Sequence, residues 1–128
     1  MEITVGMKGA AASVVSREDT AYEVGSGNLL VYATPCMVAL MEGAACEAIA
    51  HALPEEKTSV GTMLTIEHIS STPIGLEVRA EAEVIAVEKN FITFQVCAFD
   101  EAGKIGEGTH KRAIVSTQRF LEKAYAKL

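Results

Sequence analysis

One segment constrains the fold of this chain more than any other. From Thr34 to Ala50 it reads Thr-Pro-Cys-Met-Val-Ala-Leu-Met-Glu-Gly-Ala-Ala-Cys-Glu-Ala-Ile-Ala, and between Cys36 and Cys46 its sole charge is Glu42. Ala, Leu and Met favour a helix. Thr34 suits the N-cap, Pro35 the first helical position, and Pro54 the stop, so the sequence predicts a helix over 35–52. It is apolar nearly all round up to Cys46, which predicts burial on most sides. A helix of that kind needs a second layer to cover it.

The rest of the chain supplies strands. Leu76, Val78, Ala80, Ala82 and Val84 alternate with Glu77, Arg79, Glu81 and Glu83, the clearest period of two in the sequence. Residues 58–71 are rich in β-branched side chains, and Thr72-Pro73-Ile74-Gly75 has turn chemistry. Ile92, Phe94, Val96 and Ala98 mark a further strand between turns at Glu88-Lys89-Asn90 and at 100–103, and residues 104–116 form the last. The order is a strand, one helix, then at least four consecutive strands. Strands joined by short turns pair antiparallel. The expected fold is therefore α+β: a curved antiparallel sheet of about five strands wrapped around one long central helix, the hotdog arrangement. At 128 residues the chain is expected to form a single domain, 1–128.

Composition narrows the function classes. The net charge of −6 argues against a nucleic-acid surface. Eleven Lys and Arg still leave room for a local pocket that takes a phosphorylated small molecule. Cys36, Cys46 and Cys97 are odd in number and lack a CxxC spacing, which predicts buried free thiols in a reducing, cytoplasmic compartment. No apolar run reaches transmembrane length, and Met1-Glu2-Ile3-Thr4-Val5 has no signal-peptide pattern. A single layer of this size leaves apolar surface over, so a homodimer is expected.

Five polar or small features do not fit a plain scaffold, the fifth of them a pair of residues. Thr34 opens the helix and would serve as its cap. Glu42 interrupts the apolar helix. An ionised carboxylate there is costly unless paired, so it is either structural, at a surface the sheet leaves uncovered, or chemical. By alternation His68 shares a face with Val60, Leu64 and Ile66, where histidine is a core residue or a base for neutral pH. Gly61 interrupts a strand, as a bulge or as a place where a ligand approaches the backbone. His110 and Arg112 lie on one face of the last strand, in a His-Lys-Arg run that reads as a solvated edge or as a cationic patch for phosphates. No Walker loop, GxGxxG, HExxH or GxSxG occurs, and His51, His68 and His110 are too scattered to suggest a metal site.

Those residues sit in a recognisable frame. Thr34 to Glu42, Ser59-Val-Gly-Thr62, Glu67-His68, Thr72-Pro-Ile-Gly75 and Gly106-Glu-Gly-Thr-His-Lys-Arg112-Ala113 together resemble the fluoroacetyl-CoA-thioesterase-like hotdog proteins, over about residues 20 to 125. The resemblance implies a catalytic constellation of Thr34, Glu42 and His68, with substrate contacts from Gly61 and Arg112. It implies hydrolysis of an acyl-CoA thioester to a free acid and CoA, with no metal or redox cofactor and CoA entering only as substrate. His68 would take a proton from Thr34 or from water, and Glu42 would support the imidazolium or attack the carbonyl itself. The helix start would offer its N–H groups and dipole to the carbonyl oxygen.

Eight helical residues separate Thr34 from Glu42, a rise of about 12 Å. The two cannot meet at one centre unless Thr34 turns back from the loop, or unless Thr34 of one subunit works with Glu42 or His68 of its partner. The stretch Gly25-Ser-Gly-Asn-Leu-Leu-Val-Tyr32 carries only Tyr32 where the specialist fluoroacetyl-CoA enzyme has several aromatics, so a short- or medium-chain acyl-CoA is the expected substrate. Two other readings stand beside this one: an acyl-thioester dehydratase or hydratase on the same fold, and a non-catalytic acyl-CoA-binding module.

Overall fold

The computed structural model describes residues 2–128. In chain order it contains β1 (Lys8–Val14), a short helix α1 (Ala21–Val24), the central helix α2 (Thr34–Ile49), β2 (Lys57–His68), β3 (Glu77–Glu88), β4 (Phe91–Asp100), β5 (Gly103–Ser116) and a terminal helix α3 (Thr117–Tyr125). The strands form one antiparallel sheet in the order β1-β3-β4-β5-β2, and α2 packs on one face of it. This is the hotdog architecture, and among the described residues no helix is long and apolar enough to cross a membrane.

The core lies between helix and sheet. Met37, Met41, Ala44, Ala45, Ala48 and Ile49 of α2 meet Val78, Ala80 and Val84 of β3 and Ile92, Phe94, Val96 and Ala98 of β4. Each of the large side chains there contributes about 1.5–3 kcal/mol on burial. The small alanines let helix and sheet approach. At β1 the approach is backbone to backbone: a Cβ on Gly9 would run into the Ala44 carbonyl and the Ala48 backbone.

Three expectations need correction. The four later strands are not a simple meander. The β2–β3 connection crosses the molecule, so β2 pairs with β5, and β5, expected to offer a solvated edge, is an interior strand. The crossing lets a second edge strand extend the face that α2 covers. The helix is also buried on one side only. Thr34, Pro35, Ala39 and Gly43 are exposed and Val38, Leu40, Glu42 and Cys46 are half-buried, because a single sheet can cover one flank of a helix. For the same reason Cys36 and Cys46 are half-buried rather than buried, and Cys97, on the face of β4 turned away from the helix, is half-buried as well.

The helix boundaries differ slightly as well. The α-helical part ends at Ile49 and a single 3₁₀ turn carries the chain through Ala52. Helix α3 lay outside the sequence reading, since its nine residues have no buried position to give them a pattern against the core.

Candidate active site

Two polar clusters lie along α2. The first is at its start. Ala33, not Thr34, is the N-cap, and no side chain caps the helix. Thr34 is the first helical residue, so its hydroxyl is free for another partner. That partner is His68, at the end of β2: Thr34 Oγ1 lies 2.8 Å from His68 Nδ1. The approach to the helix is pinned by Tyr32 N–H donating to the Thr72 carbonyl at 2.8 Å and Ala33 N–H donating to the Asp19 carbonyl at 2.8 Å.

A pocket of about 300 Å³ opens beside this pair, with Ala21, Ser26, Tyr32 and Ser70 in its walls. Burial pushes the His68 imidazole below its ordinary value, and the Ser70 backbone partly offsets that. The ring is therefore neutral at neutral pH and can accept a proton. With the Thr34 hydroxyl donating to Nδ1, the ring proton sits on Nε2. His68 Nε2 is buried and has no hydrogen-bond partner among the described residues. Beyond the weak Ser70 backbone contact this buried N–H has no hydrogen bond of good geometry, which leaves room for a second molecule to complete the arrangement. The Thr34 backbone N–H is also without a partner among the described residues, and it points out of the first turn as a donor for an anion.

The second cluster is two turns further along. Arg112 Nη1 donates to Glu42 Oε2 at 3.0 Å and to His110 Nε2 at 3.1 Å, Arg112 Nε donates to Ser59 Oγ at 2.8 Å, and Nη2 donates to the Ser59 carbonyl at 3.0 Å. Four of the five guanidinium N–H groups are thus engaged. His110 is fully buried, and its Nδ1 lies 2.9 Å from the Met63 carbonyl. A carbonyl can only accept, so Nδ1 carries the proton and Nε2 is the acceptor that meets Arg112. Burial foremost, with Arg112 adding, lowers the affinity of His110 for a second proton. Glu42 keeps 35% of its side chain exposed, with Oε2 held by the guanidinium.

The local structure of β2 makes this cluster possible. A bulge between Gly61 and Met63 shifts the register against β5. Gly61 then faces the helix opposite Arg112, as Leu64 and His68 do opposite His110 and Gly106. Val60, expected on the His68 face, is turned to the other side by the same bulge. A Cβ on Gly61 would run into Glu42 Oε2 and would stand 3.3 Å from His110 Cε1. Glycine lets the carboxylate occupy that space, and any side chain there would displace it.

The five residues singled out in the sequence thus fall into two groups. Thr34 and His68 meet within one chain, which removes the arrangement in which His68 comes from the partner. Glu42, Gly61 and Arg112 meet about 12 Å away. Within one chain the catalytic constellation is divided, with Glu42 in the second group. The His110–Lys111–Arg112 run is not a solvated edge: His110 and Arg112 are buried, at 0% and 6% exposure. Ser59, His110 and the Met63 carbonyl were not recognised as parts of a network. One signal was available. Gly106 and Gly108 share the His110–Arg112 face, and a Cβ on Gly106 would meet the Met37 side chain, so that face lies beneath the helix.

Chemically, the first cluster offers a hydroxyl, a neutral base and an unpaired N–H at a helix start. The second offers a fixed, partly exposed carboxylate.

The comparisons with known proteins bear on the family and the fold. The model of the family described as "Fluoroacetyl-CoA-specific thioesterase" matches residues 15–118. Fluoroacetyl-CoA thioesterase of Streptantibioticus cattleyicolor is 39% identical over 97 residues, which are 76% of this chain and 70% of the relative. A crystal structure of a fluoroacetyl-CoA thioesterase superposes with a TM-score of 0.93 at 32% identity, covering 100% of this chain and 99% of the other. A threonine-to-serine mutant of such an enzyme, in complex with acetyl-CoA, gives a TM-score of 0.91 at 32% identity, covering 98% of each chain. A hot-dog-like protein from Thermanaerovibrio acidaminovorans gives 0.88 at 25% identity, covering 98% and 93%.

Proposed function

Because this chain belongs to the fluoroacetyl-CoA-specific thioesterase family, we propose that it hydrolyses a short- or medium-chain acyl-CoA to the free acid and CoA at a site built on Thr34 and His68. The observation that carries this reading is the 2.8 Å contact between Thr34 Oγ1 and His68 Nδ1, a hydroxyl and a neutral base at hydrogen-bond distance.

Thr34 Oγ1 attacks the thioester carbonyl while His68 Nδ1 takes its proton. The Thr34 N–H and the dipole of α2 face the developing oxyanion. The C–S bond breaks, His68 returns the proton to the leaving sulfur, and CoA departs as the thiol. A water molecule then attacks the acyl-threonine ester, His68 accepts its proton, and the acid leaves as Thr34 recovers its hydrogen. The pocket of about 300 Å³ beside the pair suits a small acyl group. The relative named above acts on fluoroacetyl-CoA. In this chain the one aromatic of the 25–32 loop, Tyr32, is buried, which leaves no aromatic guard and favours a plain acyl group.

Glu42 enters from a second subunit. Within its own chain it is too far along α2 to reach His68, it remains a third exposed on the uncovered flank of the helix, and His68 Nε2 is left without a partner. A two-fold dimer over that flank pairs the carboxylate of one subunit with the imidazole of the other. Gly61 and Arg112 serve the substrate by holding that carboxylate at the site. The free cysteines suit a cytoplasmic enzyme, and the chain, 1–128, is read as one domain.

The test is thiol release from acetyl-, butyryl- and octanoyl-CoA. Release that is lost in Thr34→Ala and His68→Ala supports the reading, and water addition to an enoyl-CoA without thiol release overturns it in favour of a hydratase. Acid-quenched turnovers analysed by mass should show an acyl group on Thr34, and an adduct on Glu42 would reassign the nucleophile. Mixing Thr34→Ala with Glu42→Gln subunits should restore about a quarter of wild-type activity, because half the dimers are mixed and each has one intact composite site. No recovery would remove Glu42 from the shared site.

A further inference from the structure

The hydrolase reading leaves one built feature of the molecule without a task. Helix α3 has no buried residue, yet it is held against the end of the sheet by Thr117 N–H donating to the Glu56 carbonyl at 3.1 Å. Between it and β2 lies a groove of about 320 Å³ walled by Lys57, Asn90, Ile114, Arg119, Phe120 and Lys123, and by no carboxylate. None of the three cations has an ion-pair partner among the described residues, although the chain carries a net charge of −6.

These cations converge on one groove from two separate elements. Arg119 and Lys123 are four residues apart, on one face of α3, and like charges at that spacing repel and weaken a short helix. Lys57 is brought to the same groove from β2, opposite Ser116 at the end of β5. An anion seated among the three reverses the repulsion. Phe120, 43% exposed in the same wall, adds a flat apolar surface. Cations beside an exposed aromatic ring fit a phosphorylated nucleotide, whose base stacks while its phosphates pair.

Resting on the acyl-CoA reading above, we propose that this groove seats the phosphate-bearing adenosine end of CoA, and that it serves the thioester bound at the neighbouring subunit. Distance decides which subunit. Lys57 and His68 are at opposite ends of β2, about 36 Å of strand apart, which is longer than a pantetheine arm. Gly61, against Glu42, is only about 13 Å of strand from Lys57. The subunit that lends Glu42 to its partner's Thr34–His68 pair therefore also presents the groove at the right separation to hold the far end of the same substrate.

The experiment compares acyl-CoA with the acyl-pantetheine thioester that lacks the nucleotide, and uses adenosine 3′,5′-bisphosphate as a probe that carries no thioester. The variant is Lys57→Gln/Arg119→Gln/Lys123→Gln, all exposed positions. Wild-type enzyme should prefer acyl-CoA in kcat/KM, and the triple variant should lose about tenfold or more of that preference through KM, with kcat for acyl-CoA retained, as expected for several charge contacts made equally in ground and transition states. The bisphosphate should bind the wild type by calorimetry and compete with acyl-CoA, and both effects should vanish in the variant. An unchanged preference, or equal bisphosphate binding by wild type and variant, overturns the proposal. If no acyl-CoA releases thiol while the bisphosphate still binds the wild type and not the variant, the hydrolase reading fails and the nucleotide groove stands.

Discussion

The two ends of the polar track along α2 are built on opposite principles. At Glu42 every strong group has a partner: Arg112 is held by Ser59, Glu42 and His110, and His110 by Met63 and Arg112. At Thr34 there is one side-chain contact, and His68 Nε2 and the Thr34 N–H are left over. A satisfied buried network fixes position and resists change. An unsatisfied one awaits a ligand or a second chain. On the proposed reading the fixed cluster carries the structural load and aims Glu42, while the open cluster is assigned the chemistry.

Substitutions should separate these roles. His68→Ala is expected to lower kcat/KM by about 10²–10⁴-fold, the usual worth of a general base, with thermal unfolding close to wild type. A large fall in Tm with activity retained would exchange the two clusters. Arg112→Met should do the reverse in stability. It leaves Glu42 and His110 facing each other without the cation, at a cost of about 3 kcal/mol, the low end for breaking a buried pair because Glu42 is partly exposed. In a chain of this size that is a fall in Tm of about 10 °C, and adding Glu42→Gln should restore part of it. An unchanged Tm would show that the network is not closed.

Much of this contrast could be read before folding, and the unread part has a definite cause. The alternation of Val78, Ala80, Ala82 and Val84 with charged neighbours, and of Ile92, Phe94, Val96 and Ala98, gave β3 and β4 and their inner faces correctly, because both strands keep strict register over those residues. Read from the residues alone, Thr34 is a cap and His68 a lone face residue, and only the family resemblance pairs them. Their meeting depends on Ala33 taking the cap and on β2 ending at the helix start, which are tertiary facts. Period-two reasoning failed on β2 because the bulge at Thr62 switches faces mid-strand, so Val60 was put on the wrong side. It failed on the His110–Arg112 face because the crossing of β2 to the far side of β5 turns an apparent edge into an interior strand, and a sequence shows strands without showing their order.

The bulge also gives a finer test of the fixed cluster. Gly61→Ala adds one methyl where Glu42 Oε2 stands, with His110 Cε1 at 3.3 Å and Arg112 Nη1 at 3.4 Å. Overpacking of that kind costs about 1–3 kcal/mol. Glu42 is the end of a flexible side chain, so it should give way, and activity should fall as the carboxylate leaves its aim. In the Glu42→Ala background the added methyl should cost much less than it does in wild type, measured as non-additive denaturant midpoints. Strict additivity would mean that the methyl strains the backbone and not the carboxylate.

The smallest expected effects are in pH, where the two histidines report separately. His68 must be neutral to accept the Thr34 proton, and burial holds it below the ordinary 6.5 of an imidazole. The acid limb of kcat/KM should therefore lie below pH 6.5, with activity lost as pH falls through it, and His68→Ala should abolish that limb. His110 is depressed chiefly by burial, from the same 6.5, and it lies outside the reacting pair. Below 6.5 the unfolded chain takes up a proton at this position that the folded chain refuses, so folding is favoured above that pH and weakens on acidification towards the folded value. His110→Gln keeps a donor for the Met63 carbonyl and an acceptor for Arg112, and should flatten the acid slope of stability while leaving the acid limb of kcat/KM in place. The pKa of His68 is itself depressed, so His68→Ala is expected to change both profiles. If His110→Gln also moved the acid limb of kcat/KM, the clusters would be a single coupled unit and the division of labour along the helix would be wrong.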